Sequence, residues 1–225
     1  MHRYDASPGE QRVAMLSTDH VVFVVDDDCH VRESLQDLVA SANLSFVTFA
    51  SAAEYIAFPK PDIPACLVLD IELPDINGLD LQQQIATGDH PPIIFITGHG
   101  DIPSSVRAIK AGALDFLTKP FDGQHLLRLL YTALDQDRER RIKLAERNLL
   151  RQRYESLTPR ERDVLPLVVS GLLNKQAAAH LGISSITLQI HRTNVMRKMH
   201  ADSLADLVRM AGCLEIPLSE ERRAQ

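Results

Sequence analysis

The chain has 225 residues, yet it contains no tryptophan, only 5% aromatic residues and just three cysteines. Cys29, Cys66 and Cys213 are too few and too far apart for a disulfide framework or a zinc cluster, so they read as reduced thiols in packing positions. The nine histidines are scattered, and no spacing gathers two of them around a metal. No apolar run approaches the roughly 20 residues that a bilayer span needs, which argues against a membrane protein. Residues 1–18 are polar and lack the apolar segment of a secretory signal; they read as a disordered leader on a cytoplasmic protein.

What is present is the composition of a soluble globular protein, 45% hydrophobic and 24% charged, at a length that accommodates two domains with separate cores. The net charge of -6 conceals an asymmetry. Residues 1–136 hold 8 Lys+Arg against 19 Asp+Glu, a balance of -11, whereas residues 137–225 hold 16 against 11, a balance of +5. A basic C-terminal part points to a polyanion as its partner.

The N-terminal part is organised around Val21-Val22-Phe23-Val24-Val25-Asp26-Asp27-Asp28, an apolar run that ends abruptly in carboxylates. It reads as a buried strand that delivers negative charge to its carboxyl end. Carboxylates about 4 Å apart repel by roughly 1 kcal/mol in water and about 4 kcal/mol at an effective dielectric near 20, so a fold that gathers them also holds a cation. Oxygen donors favour magnesium over zinc. The alternative at this point is that Asp26 to Asp28 are solvated turn residues capping a helix that begins near Cys29.

Strand and helix then alternate five times. Residues 29–42 carry Val31, Leu35, Leu38 and Val39 at helical spacing, 45–49 form a short strand, and Ser51-Ala52-Ala53-Glu54 has the pattern of a capping box. The run 65–69 ends in Asp70; 78–86 reads as a helix, 92–97 as a buried strand, 102–111 as a helix and 114–118 as a strand, with a further helix from Asp122. This pattern predicts a doubly wound, five-stranded parallel α/β sheet whose site lies beyond the carboxyl ends of its strands. Four such ends carry chemistry: Asp26 and Asp27, Asp70, Thr97 and Lys119.

Four stretches resemble the receiver domain of bacterial two-component response regulators over residues 21–134. They are Val25-Asp26-Asp27-Asp28, then Leu69-Asp70-Ile71-Glu72-Leu73-Pro74-Asp75-Ile76-Asn77-Gly78, then Ile96-Thr97-Gly98-His99-Gly100-Asp101, and Ala111-Gly112-Ala113-Leu114-Asp115-Phe116-Leu117-Thr118-Lys119-Pro120-Phe121. The Thr-Gly-His-Gly-Asp wording is similar to the NarL/FixJ group. The resemblance implies a flavodoxin-like fold with Asp70 as phosphoacceptor. Mg2+ would be held by Asp27, Asp70 and the backbone carbonyl of Glu72, with Asp26 acting through water. Lys119 and Thr97 would bind the phosphoryl oxygens, and Phe116 would be the switching aromatic. It also implies a cis peptide at Lys119-Pro120; read alone, Phe116 is an ordinary core phenylalanine, and His99 is taken as exposed and without a role.

The helical pattern from Asp122 continues through mixed charges to Tyr154, which predicts a stiff helical linker. Residues 19–122 are read as the receiver core with its last helix at 123–136, residues 137–155 as the linker and 156–225 as a DNA-binding domain. Thr158-Pro159-Arg160-Glu161 opens a helix with a capping pattern, and residues 176–199 read as helix, glycine turn and helix. With Thr187-Leu188-Gln189-Ile190-His191-Arg192-Thr193-Asn194, this part resembles the LuxR-type helix-turn-helix of NarL/FixJ regulators. In the second helix Leu188, His191, Val195 and Met199 form the inward stripe. Ile186, Thr187, Gln189, Ile190 and Thr193 are assigned to the DNA-facing side, where Gln189 suits adenine and Ile190 a thymine methyl. Lys175, Arg192, Arg197 and Lys198 are assigned to phosphates, although such charges equally suit a solvated face. Ser185 and Gln189 depart from the family's common proline and Lys or Glu, which leaves the operator open.

The resemblance implies a transcription regulator that a sensor histidine kinase phosphorylates, that dimerises when phosphorylated and that binds promoter DNA, with RNA polymerase as a further candidate partner. Two rivals share parts of this pattern: a magnesium-dependent phosphatase or phosphotransferase, and a constitutive DNA-binding protein whose receiver only dimerises. Glu72 stands where a turnover phosphatase of the haloacid dehalogenase type carries a second aspartate, and the enzyme reading leaves the helix-turn-helix unused.

Overall fold

Strand β1, Val21–Val25, is apolar and buried at all five positions, as a strand covered on both faces must be. In the computed structural model, which describes residues 19–86, 90–98 and 100–217, it lies in a five-stranded parallel sheet. The other strands are β2 (Phe46–Phe49), β3 (Ala65–Asp70), β4 (Ile93–Thr97) and β5 (Asp115–Thr118), in the order β2-β1-β3-β4-β5. The expected leader at 1–18 and His99 fall outside the described residues.

The sheet separates two apolar layers because successive side chains point to opposite faces. Val21, Phe23 and Val25 pack with Tyr55, Leu79, Leu81 and Ala108, so α2 (Ala52–Ala57), α3 (Gly78–Ile85) and α4 (Ile102–Lys110) cover one face. Val22 and Val24 pack with Leu35, Val39, Leu126 and Leu130, which places α1 (Cys29–Ser41) and α5 (Gly123–Glu155) on the other. Phe23, Phe49, Tyr55 and Phe58 meet at centroid distances of 5.3 to 6.2 Å, placing four of the chain's eleven aromatics in one corner.

Local capping sets where the helices start. The capping box expected at Ser51 is only half formed: Ser51 Oγ accepts from Glu54 N at 3.3 Å, but the Glu54 carboxylate accepts from Ala50 N rather than from Ser51. Asp75, 22 residues away, accepts from Ala53 N at 2.8 Å and Ala52 N at 3.3 Å and completes the cap. Only tertiary structure could supply that partner.

Helix α5 is one continuous element of 33 residues. Its middle is anchored by Asp137, which is fully buried, accepts from Ala65 N at 2.8 Å and is gripped by Arg140 and Arg141. The first compact unit extends through Arg141 and the second begins at Ile142. In the second, α6 (Pro159–Val169), α7 (Asn174–Leu181), α8 (Ser185–Met199) and α9 (Leu204–Cys213) enclose Val164, Leu165, Leu188, Val195, Met199 and Leu207. Between α7 and α8, Gly182 sits at φ +64, the left-handed turn that favours glycine, and ends α7.

Candidate functional site

Parallel register brings the strand ends together. Val25 pairs with Leu69, Asp70 with Ile96 and Thr97 with Thr118, so Asp26, Asp70, Thr97 and Lys119 emerge within two residues of the same level. Asp26 and Thr97 are fully buried, Asp70 is 5% exposed, and Asp27 is exposed at the mouth.

Lys119 ties this edge together. Its Nζ donates to Asp26 Oδ2 and to Asp70 Oδ2, each at 2.6 Å, while its backbone N–H donates to the carbonyl of Thr97 at 2.8 Å. The Lys119-Pro120 peptide is cis. The other oxygens of the two carboxylates are held by backbone: Asp26 Oδ1 accepts from Asp28 N at 2.9 Å and Asp70 Oδ1 from Glu72 N at 3.0 Å. Asp28 is the helix cap, accepting from His30 N at 2.8 Å, so the turn-residue reading applies to that aspartate while its two predecessors line the pocket.

The electrostatics follow from two buried carboxylates, Asp26 and Asp70, sharing one ammonium. Burial, reinforced by Asp70, pushes the Asp26 carboxyl above its ordinary value despite the bond from Lys119. Burial disfavours the charge on Lys119, but its bonds to Asp26 and Asp70 outweigh this and hold its pKa above the ordinary lysine value. Asp26, Asp27 and Asp70 each offer an oxygen within 4.8 Å of the others, an all-oxygen donor set that fits magnesium. Phe116 is half-buried and packs on the first apolar layer.

Two supports were invisible in sequence. Arg32 donates to the carbonyls of Asp26 at 2.7 Å and Asp27 at 2.8 Å, fixing the loop that carries both carboxylates. Gly78 lets α3 start directly against the strand end, since a Cβ there would lie 2.3 Å from the Asp70 carbonyl oxygen. Its N–H donates to the Ile71 carbonyl at 2.8 Å.

On α8, the inward stripe consists of buried Leu188, Val195 and Met199, with His191 half-buried beside them. Thr187, Gln189, Ile190, Thr193 and Arg197 are exposed, as is Lys175 on α7. Lys198 stands apart from this group: its ammonium donates to Glu161 at 2.7 Å and to the carbonyl of Ser156 at 3.2 Å, so its charge is already paired. Arg192 donates to Asn174 Oδ1 at 2.9 Å, and Asn174 in turn donates to Gln189.

Comparison with known proteins matches residues 22–131 to the response regulator receiver domain and residues 155–211 to the bacterial regulatory proteins of the luxR family. Nodulation protein W of Bradyrhizobium diazoefficiens is 50% identical over 93% of this chain and 92% of its own length. The transcriptional regulatory protein FixJ of Azorhizobium caulinodans is 43% identical over 84% of this chain and 90% of its own. The solved response regulator StyR superposes with a TM-score of 0.76 at 45% identity, covering 87% of this chain and 99% of that one. A receiver domain implies a partner histidine kinase, and a luxR-family domain implies DNA. No helix among the described residues is long and apolar enough to cross a membrane. With an acidic pocket at the ends of a five-stranded parallel sheet and a helix-turn-helix in its second unit, the chain belongs to the NarL/FixJ group of two-component response regulators, which control transcription in response to phosphorylation.

Proposed function

We propose that Asp70 is the phosphoacceptor of a switch that a sensor histidine kinase sets and that controls dimerisation and sequence-specific promoter binding in the cytoplasm. The observation that carries this reading is the Lys119 ammonium held by Asp26 and Asp70 above a three-carboxylate pocket. An Asp70 oxygen attacks the phosphorus of a phosphohistidine; the P–N bond breaks, its electron pair returns to the imidazole, and Asp70 becomes an acyl phosphate. Magnesium, held by Asp27, Asp70 and the Glu72 carbonyl with Asp26 behind them, would offset the charge of the phosphoryl oxygens. Lys119 exchanges its bond to the Asp70 carboxylate for one to a phosphoryl oxygen, and the Thr97 hydroxyl donates to another. No turnover substrate is involved: the group enters, signals and is lost to water.

The output face is α4 and β5. Ile102, Val106 and Ile109 are 79%, 44% and 47% exposed, and a groove of about 590 Å³ beside them reaches Phe116 and Thr118. A shift of Thr97 and Phe116 after phosphorylation would reshape that groove and favour pairing of two receivers, with Lys175, Thr187, Gln189, Ile190, Arg192, Thr193 and Arg197 of each second unit then engaging half-sites. RNA polymerase is a further partner in this scheme.

Intact-mass measurement after incubation with acetyl phosphate and magnesium tests the chemistry. Wild type is expected to gain one phosphoryl group, lost on adding EDTA beforehand and absent from Asp70→Asn. Undiminished incorporation into Asp70→Asn would overturn the assignment.

A further inference from the structure

Three polar side chains join α7 to α8 on the surface that carries the proposed DNA contacts. Asn174, the first residue of α7, accepts from Arg192 Nη1 at 2.9 Å through Oδ1 and donates through Nδ2 to Oε1 of Gln189. Gln189 and Arg192 are three residues apart on one face of α8, so a single amide reaching across from α7 engages both.

The direction of each bond in this chain is fixed by chemistry. A guanidinium has donors and no acceptor, so only the carbonyl oxygen of Asn174 can face Arg192; the reversed amide would set donor against donor. The Asn174 NH2 therefore faces Gln189 and takes its carbonyl oxygen. What Gln189 directs away from α7 is its own NH2, and Nε2 makes no hydrogen bond among the described residues. Beside the triad, Leu173, Ile186 and Ile190 are 69%, 76% and 57% exposed, an apolar rim around a polar head.

We propose that Asn174 is a positioning residue that sets the polarity of base reading. It presents Gln189 to the major groove as a donor, so the edge that Gln189 favours is guanine, whose N7 and O6 offer two acceptors where adenine and thymine offer one each and cytosine none. An unrestrained glutamine amide suits adenine instead, because adenine offers an acceptor and a donor side by side. The inference rests on the DNA-binding reading above and adds to it which base the residue at 189 prefers, and why.

The test is selection of binding sites from a pool of randomised duplexes by the full-length chain with magnesium and beryllofluoride, using wild type, Gln189→Ala, Asn174→Asp and Asn174→Ala. Gln189→Ala identifies the base pair that Gln189 reads. At that position wild type is expected to favour guanine by roughly five- to tenfold. In Asn174→Asp the carboxylate can only accept, so Gln189 must turn its NH2 inward and expose Oε1. Preference there is expected to move to a base with a major-groove donor, adenine or cytosine. A carboxylate in the first turn of α7 suits the helix dipole, so this variant should fold, which a melting curve verifies. Asn174→Ala should relax the preference without reversing it. An unchanged preference in Asn174→Asp, a wild-type preference for adenine, or an equal loss of affinity for all sequences would each overturn the proposal while leaving DNA binding intact. Failure of wild type to enrich any sequence would overturn the DNA-binding reading and this inference with it.

Discussion

Lys119 compensates for the charge that the sheet gathers, and removing it exposes how much compensation is needed. In Lys119→Met, Asp26 and Asp70 face each other with no ammonium between them, and loss of a partner from a mostly buried ion pair costs about 3 kcal/mol. A divalent cation can replace part of the lost charge. The variant receiver is therefore expected to unfold at a lower denaturant concentration than wild type without magnesium and to recover part of the difference when magnesium is added, as followed by circular dichroism. The pH dependence has a definite sign. Because the Asp26 carboxyl lies above its ordinary 3.8 in the folded protein, folding takes up a proton there as pH falls. Its favourable contribution is complete below the unfolded value and is lost as pH rises through the folded one. Lys119, also raised, contributes stability that is complete below its unfolded value and is lost as pH rises through the higher folded one. If magnesium occupies the proposed pocket, protons compete with it for the same cluster of carboxylates, and the rise in melting temperature on adding magnesium should be smaller near pH 5 than near pH 7.5.

Among the elements, the start of α3 is the most tightly constrained. Gly78→Ala places a methyl group 2.3 Å from the Asp70 carbonyl oxygen and 3.0 Å from the Ile71 Cα, both backbone atoms, so the strand end or the helix must move. A loss of about 2 kcal/mol is expected, together with slower phosphorylation by acetyl phosphate, since the displaced backbone carries Asp70, the proposed phosphoacceptor. The start of α6 offers a different test. Glu161 closes a capping box with Thr158 and is paired with Lys198. Burial works against its charge, but the bonds from Lys198 and Thr158 prevail and hold its carboxyl below the ordinary 4.5. Its stabilisation is present above that ordinary value and is lost as pH falls through the lower folded one. Glu161→Gln keeps the cap and loses the charge; a cost of about 1 kcal/mol at neutral pH that disappears in acid is expected from urea titrations of the full chain. These elements also mark what the sequence could and could not convey. Alternating strand and helix, the carboxylates at strand ends and the cap at Thr158 are local patterns, and each was readable from neighbouring residues. The Asp75 cap on α2, the burial of Asp137 within a run of charges, and the Glu161–Lys198 pair join residues 22 to 72 positions apart. Nothing in the spacing of a charged run distinguishes the one carboxylate that a strand's N–H will claim.

At the scale of the whole molecule, switching needs a contribution beyond the phosphoryl group alone. Moving an equilibrium from 1:99 to 99:1 takes about 5.5 kcal/mol of differential stabilisation, so receiver pairing and DNA binding are expected to share it with phosphorylation. The acidic first part and basic second part divide these roles, and salt separates them. If Lys175, Arg192 and Arg197 contact phosphates in each half of a dimer, about six contacts give a slope of log K against log salt near -5 on duplex DNA. Were Lys198 to join them, the slope would steepen to about -7. Because Lys198 is held by Glu161 and the Ser156 carbonyl, it is expected to stay out of the count. Fluorescence anisotropy with a labelled duplex at several salt concentrations, on the beryllofluoride-activated protein, checks this directly. Arg197→Met should reduce the magnitude of the slope by about 2, one phosphate per half-site, while Lys198→Met should leave the slope unchanged and lower the melting temperature of the DNA-binding unit. The two lysine-or-arginine positions are adjacent on α8; what separates them is that one is paired within the fold and the other faces solvent, so they should differ in kind: one change read in affinity, the other in stability.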